Sequence, residues 1–261
     1  MNLWDIGANL ANKAFRSDVA GVVARARAAG VEQIVVTGTS IPGSEAALAV
    51  ARDHGLLSTA GVHPHSASSW GPHADAAIRD LAKRPEVVAI GECGLDFDRD
   101  FSPRDAQARA FEAQLAIACE LGLPVFLHER AAHDAFAAIL ARYRPKLTRA
   151  VVHCFTGDGH ALARYLELDC HIGITGWICD ERRGTHLREL VKTIPRERLM
   201  LETDAPYILP RDLPRSARPP GGRNEPMTLP HVLRTVAACR GEDAADLARS
   251  TTETARAFFV R

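Results

Sequence analysis

Eight short apolar runs, each followed by a stretch rich in Ala, Leu and Arg, constrain this chain more than any other feature. The runs are Leu3–Gly7, Gln33–Gly38, Leu57–His63, Val87–Glu92, Pro124–His128, Ala150–Phe155, Cys170–Thr175 and Leu199–Asp204. The helix-like stretches lie near 13–29, 43–54, 73–83, 104–121, 131–142, 159–167, 181–193 and 229–239. Strands that alternate with helices must pair in parallel, because each crossover brings the chain back to the same end of the sheet. Eight such units predict an α/β fold, a (β/α)8 TIM barrel spanning 1–261 as one domain, with a short C-terminal helical extension after Gly241. A doubly wound open sheet is the competing architecture. No GxGxxG follows the first run, which weakens a dinucleotide-binding version of it. Ser102-Pro103 reads as a cap and first turn, and Leu121-Gly122-Leu123-Pro124 as a helix stop.

Polar residues fall at the C-terminal end of nearly every run: Asp5 and Asn9, His63 and His65, Glu92, His128, His153, Glu202 and Asp204. In a TIM barrel that end carries the active site. The stretch Val87–Asp96 shows the pattern best, since four apolar residues run straight into Gly91 and Glu92. A buried lone carboxylate is costly unless it is paired or binds a metal. Alternation sets Glu92 in line with Val88 and Ile90, and puts Glu202 and Asp204 on one side with Thr203 opposite.

Glu92, His128, His153 and Asp204 come from four strands and would converge on one barrel mouth. Two imidazoles with carboxylates form a donor set for Zn, Mn, Mg or a similar divalent ion. In Gly61-Val-His-Pro-His65, His63 and His65 are candidates for ligands, for phosphate contacts or for loop packing. Asp96 would either orient a ligand histidine or cap a turn.

The formal net charge is zero, so a grip on nucleic acid has to come from local clusters. The long segment after Asp204 supplies one, with Arg211, Arg215, Arg218 and Arg223, and Arg182 and Arg183 add to it. Trp70, Phe97, Trp177 and Tyr207 also lie beyond strand ends, where an aromatic can stack on an unpaired base or anchor a loop. The six cysteines form no CxxC pair, and several sit in apolar runs as small hydrophobes. No run approaches the roughly 20 apolar residues of a membrane span, and the N-terminus carries no signal-type leader, so a cytoplasmic protein is expected.

The motifs resemble those of the TatD-type metal-dependent deoxyribonucleases, within the amidohydrolase-like barrels. The matching stretches are Asp5–Leu10, Ser58–His65, Pro85–Asp96, Pro124–Arg130, His153–Gly157, Ile172–Trp177, Asp180–Gly184, Glu202–Tyr207 and Arg223–Pro226, in order along nearly the whole chain. The resemblance implies a 3′-to-5′ exonuclease on single-stranded DNA, and RNA too, using Mg2+ (with Mn2+ or Zn2+ as alternatives) and serving DNA repair. A monomer is expected. In that reading Glu92, His128 and His153 hold the ion. Asp204 takes the proton of the attacking water and touches the metal site, while His63, His65, Arg130 and Arg223 hold the substrate phosphate.

One departure stands out. Most TatD-type barrels begin with Asp-x-His-x-His, where this chain has Gly7 and Asn9. Glycine cannot ligate, and asparagine offers one hard carbonyl oxygen, so a second ion is in question. The alternatives are a hydrolase of another ester or amide, such as a D-aminoacyl-tRNA deacylase, or a metal-binding barrel without turnover.

Overall fold

The structure is a computed structural model, and it describes residues 2–260. Eight strands form one sheet in sequential order, every neighbouring pair parallel. They are β1 (Leu3–Ala8), β2 (Val31–Val36), β3 (Leu57–Ala60), β4 (Val87–Asp96), β5 (Val125–Arg130), β6 (Ala150–Val152), β7 (His171–Ile174) and β8 (Leu199–Leu201). The first and last strands approach each other just past their regular ends. Asp204 N donates to Gly7 O at 2.8 Å and Asn9 N to Ala205 O at 2.7 Å. The result is a (β/α)8 barrel. The connecting helices are α1 (Val19–Ala28), α2 (Ile41–His54), α3 (Pro72–Leu81), α4 (Arg104–Leu121), α5 (His133–Tyr143), α6 (Gly159–Glu167), α7 (Thr185–Leu190) and α8 (Leu229–Arg240).

Two apolar layers hold the barrel. The larger lies between strands and helices, and the smaller fills the barrel interior with Trp4, Ile6, Val35, Val88, Phe126 and Met200. The C-terminal extension is a full helix, α9 (Ala244–Phe259), whose Phe258 and Phe259 join the interior cluster. Phe258 packs edge-on against His171 at the start of β7, so α9 closes the N-terminal end. Fully burying such a ring contributes about 1.5–3 kcal/mol. The opposite end stays open for the site.

Local chemistry explains where elements start and stop. Gly122 takes a left-handed φ of 65° and ends α4, as its sequence suggests. Ser102 does not cap α4. Its hydroxyl donates to His65 O, and its carbonyl accepts from Gln107, so the helix starts at Arg104. Two helices are shorter than their periodicity predicts. Turns through Asn12, Phe15 and Asp18 occupy the start of the first, and Asp180 accepts from the Arg182 and Arg183 amides ahead of α7. Among the described residues no helix is long and apolar enough to cross a membrane.

Candidate active site

Strand β4 is irregular where it matters. Its pairing with β3 slips after Ser58↔Val87, and its pairing with β5 slips between Gly91 and Cys93. The expected alignment of Glu92 with both Val88 and Ile90 is therefore lost: Val88 joins the interior cluster and Ile90 the outer one. The second slip is a bulge at Glu92, a device that re-aims a side chain beside a site. Glu92 N finds Gly38 O instead, at 2.8 Å. The strand also continues to Asp96, beyond the expected end at Glu92. Beside Gly94 it runs so close to β5 that a Cβ would lie 1.8 Å from His128 O.

Glu92 is 5% exposed and surrounded by imidazoles. Its Oε1 lies 2.9 Å from His128 Nδ1, 2.8 Å from His153 Nε2 and 3.2 Å from His63 Nε2. Burial alone would raise its pKa. The charges of His153 and His63 and hydrogen bonds from His128 and His153 instead hold it well below the carboxylate range. Burial disfavours a charged His153, yet Glu92 and Glu202 hold its pKa well above the ordinary value. This site is organised to receive positive charge.

Hydrogen bonding sorts the three imidazoles. The ring nitrogens of a neutral histidine comprise one donor and one acceptor. His63 Nδ1 accepts from the His65 amide at 3.1 Å, so its Nε2 carries the proton and donates. Burial also pushes the His63 pKa down to about 4, so the ring is neutral at physiological pH. His63 lies within ligating distance of Glu92 and His128. In this tautomer it nevertheless suits a phosphate oxygen better than a cation. The other two rings have carboxylates behind them. Glu202 Oε2 sits 3.3 Å from His153 Nδ1, and Asp96 Oδ2 sits 3.5 Å from His128 Nε2. A carboxylate behind the ring fixes the tautomer that presents the other nitrogen to a metal. His153 Nε2 and His128 Nδ1 both face Glu92, while the buried His128 Nε2 has no hydrogen-bond partner. Asp96 caps the turn, its Oδ1 accepting from the Asp98 and Arg99 amides, and its Oδ2 faces His65 at 2.7 Å and His128 at 3.5 Å. Burial opposes its ionisation, but hydrogen bonds from His128, Arg99 and His65 hold its carboxyl well below the usual range.

Asp204 closes the ring of groups. Burial, reinforced by the charges of Glu92 and Glu202, raises its pKa to about 7 against the opposing charge of His153. Asn9 Nδ2 donates to its Oδ1 at 2.9 Å. Asp204 and Cys154 both take left-handed φ angles, 53° and 46°, which are uncommon away from glycine and concentrate at functional sites.

Glu92, His128, His153, Asp204, His63, His65 and Arg130 all line one cavity of about 430 Å³ at the barrel mouth. Arg223 is not brought there. Its guanidinium donates to Ala14 O, faces Glu225 at 3.3 Å and covers the Phe15 ring at 4.6 Å. Sequence reasoning gave Glu202 no role in the site, although its spacing from Asp204 was a usable signal. Of the four aromatics expected at the rim, only Tyr207 is exposed; Phe97, Trp70 and Trp177 pack against the core. Phe101, not anticipated, is exposed and stacks edge-on against His65 at 4.8 Å.

Comparison with known proteins adds the lineage. The family described as TatD related DNase matches residues 4–260. The chain belongs to that family. Relatives within it include two proteins named "3'-5' ssDNA/RNA exonuclease TatD". The one from Klebsiella pneumoniae is 54% identical over 98% of this chain and 97% of its own length, and the one from Erwinia tasmaniensis 54% identical over 98% and 99%. The crystal structure of YJJV, a TatD homolog from Escherichia coli, superposes with a TM-score of 0.90 at 29% identity, covering 98% and 97% of the two chains. Within the TatD-related DNases, the missing histidine at position 7 has a steric explanation. A Cβ on Gly7 would lie 2.4 Å from Glu202 Oε2, and one on Gly173 2.4 Å from Glu202 Oε1. The Glu202 carboxylate fills the gap between those two glycines. In this arrangement it excludes any side chain at position 7.

Proposed function

We propose that this protein hydrolyses phosphodiester bonds of single-stranded DNA, and RNA, from the 3′ end, with a divalent cation held by Glu92, His128 and His153 and bordered by Asp204. The observation that carries the reading is the convergence of His128 Nδ1 and His153 Nε2 on Glu92 Oε1, at 2.9 and 2.8 Å, with Glu202 behind the His153 ring and the buried His128 Nε2 left without a partner. Mg2+ is the expected ion, with Mn2+ and Zn2+ as alternatives. A bound cation would polarise the scissile phosphate and neutralise its developing charge.

The protein's own groups supply the rest. Asp204, which lines the mouth cavity, is placed to accept a proton from an attacking water. Asn9 fixes its carboxylate. His63 Nε2–H donates to a phosphate oxygen, a bond that strengthens as charge builds in the transition state. His65 and Arg130 stand at the cavity wall, placed to hold the same phosphate. A cavity of about 430 Å³ falls within the roughly 300–1,000 Å³ of small-ligand sites. That size suits one terminal nucleotide and not a duplex. Exposed Tyr207 and Phe101 offer ring faces to unpaired bases. The same reading makes the protein a monomer of the cytoplasm that trims strands in DNA repair.

The test is digestion of 5′-labelled single-stranded and duplex oligomers with Mg2+, Mn2+ or Zn2+, beside a D-aminoacyl-tRNA control. Stepwise shortening of the single strand is expected, abolished in Glu92→Ala and Asp204→Ala. Full activity in either purified variant, or turnover of the tRNA ester alone, would overturn the reading.

A further inference from the structure

A second cluster of metal-ligating side chains lies outside the mouth cavity. Cys179 ends the short turn Gly176–Cys179 after β7, Asp212 belongs to the segment between β8 and α8, and His231 sits in the first turn of α8. One donor atom from each lies within 4.8 Å of the other two. None of the three lines the active-site cavity. His231 Nε2 is 2.7 Å from Asp212 Oδ1, and the Cys179 thiol donates to Thr235 Oγ1 at 3.4 Å.

We propose that Cys179, Asp212 and His231 form a second metal site, for a zinc-class cation, that clips the Arg-rich segment after β8 to α8. The donors fit. In a tetrahedral site with Zn–N and Zn–O near 2.0–2.2 Å and Zn–S near 2.3 Å, ligand atoms stand roughly 3.3–3.6 Å apart. The triangle, with no side above 4.8 Å and Asp212–His231 at 2.7 Å, reaches that by opening this contact and drawing in any longer side. The thiolate selects the metal, because sulfur favours zinc-like ions over Mg2+. The exposure gradient, from fully buried Cys179 to His231 at 17% and Asp212 at 31%, leaves the outer side open for a water as fourth ligand.

The consequence reaches the active site through the backbone. The clipped segment begins with Tyr207 and Ile208, which line the mouth, and carries Arg211 beside Asp180 at 3.8 Å. A cation at this clip would fix the basic rim while a different, harder ion served the catalytic centre.

Cobalt tests the assignment without relying on activity, since a thiolate ligand gives Co2+ an intense near-ultraviolet charge-transfer band and an Asp–His site does not. The metal-free protein is titrated with Co2+, beside Cys179→Ser, Cys154→Ser and His231→Gln. Cys154 is included because it lines the mouth. The band is expected in the wild type and in Cys154→Ser and absent in Cys179→Ser. His231→Gln, which leaves the buried thiol in place, should weaken the affinity by more than the roughly tenfold that loss of a supporting partner costs. No band in the wild type, a band surviving Cys179→Ser, or an unchanged affinity in His231→Gln would overturn the proposal.

Discussion

Glu202 and His153 form a buried pair at the centre of the site: Oε2 lies 3.3 Å from Nδ1, while the other carboxylate oxygen accepts the Cys154 amide. The carboxylate therefore positions the His153 ring, a ligand in the proposed site, and holds the left-handed backbone at Cys154. Glu202→Gln keeps the shape and loses the charge. We expect metal affinity to fall about 10–100-fold with the fold intact, read as a rightward shift in the metal dependence of nuclease rate. Gly173→Ala should do the same by displacing the carboxylate. An unshifted metal dependence in both variants would remove Glu202 from the site.

In the proposed reaction His63 serves as a donor to the phosphate and not as a ligand. Its replacement by Gln should lower kcat by about 10²–10³, the usual cost of one donor to a developing oxyanion. Metal affinity, measured by calorimetry, should stay within about twofold. A parallel loss of metal binding would make His63 a ligand.

Asp5 contributes a pH dependence to stability. Burial, aided by the charge of Glu202, raises its pKa from 3.8 to about 8, against hydrogen bonds from Thr203 and Gly7. The folded state therefore holds a proton that the unfolded state has released. The stabilisation is complete below pH 3.8 and is lost as pH rises through about 8. Asp5→Asn should flatten that decline, by at most about 1.4 kcal/mol per pH unit across the window. Urea midpoints of both proteins at several pH values provide the check, and parallel curves would contradict the assignment.

Arg223 supports structure. Arg223→Ala removes its bonds to Ala14 O and Glu225 and uncovers Phe15. A loss of about 1–3 kcal/mol is expected, or roughly 2–4 °C in Tm per kcal/mol for a chain near this size. KM for an oligonucleotide should not change. A raised KM at constant Tm would return Arg223 to the substrate.

What the residues disclosed and what they hid follow from range. The eight-unit barrel was legible because hydrophobic period and helix punctuation are local properties. That Glu92, His128, His153 and Asp204 meet at one cavity was legible because a polar residue ending an apolar run is a local anomaly. The bulge at Glu92 was not, since it depends on how β4 registers against β5, and that broke the expected alignment with Ile90. Glu202 was visible at its strand end, but its seat was hidden for a similar reason. Its place is made by Gly7 on β1 and Gly173 on β7, which meet only when the barrel closes. Arg223 looked like a rim cation because a run of arginines says nothing about which one folds back onto Phe15.

The most direct measurement is anomalous diffraction from crystals soaked in Mn2+. A single strong peak is expected at about 2.0–2.2 Å from a Glu92 carboxylate oxygen, His128 Nδ1 and His153 Nε2. His63 Nε2 and Asp5 should lie outside the coordination sphere. A peak bonded to His63 Nε2 in place of His153 would contradict the account.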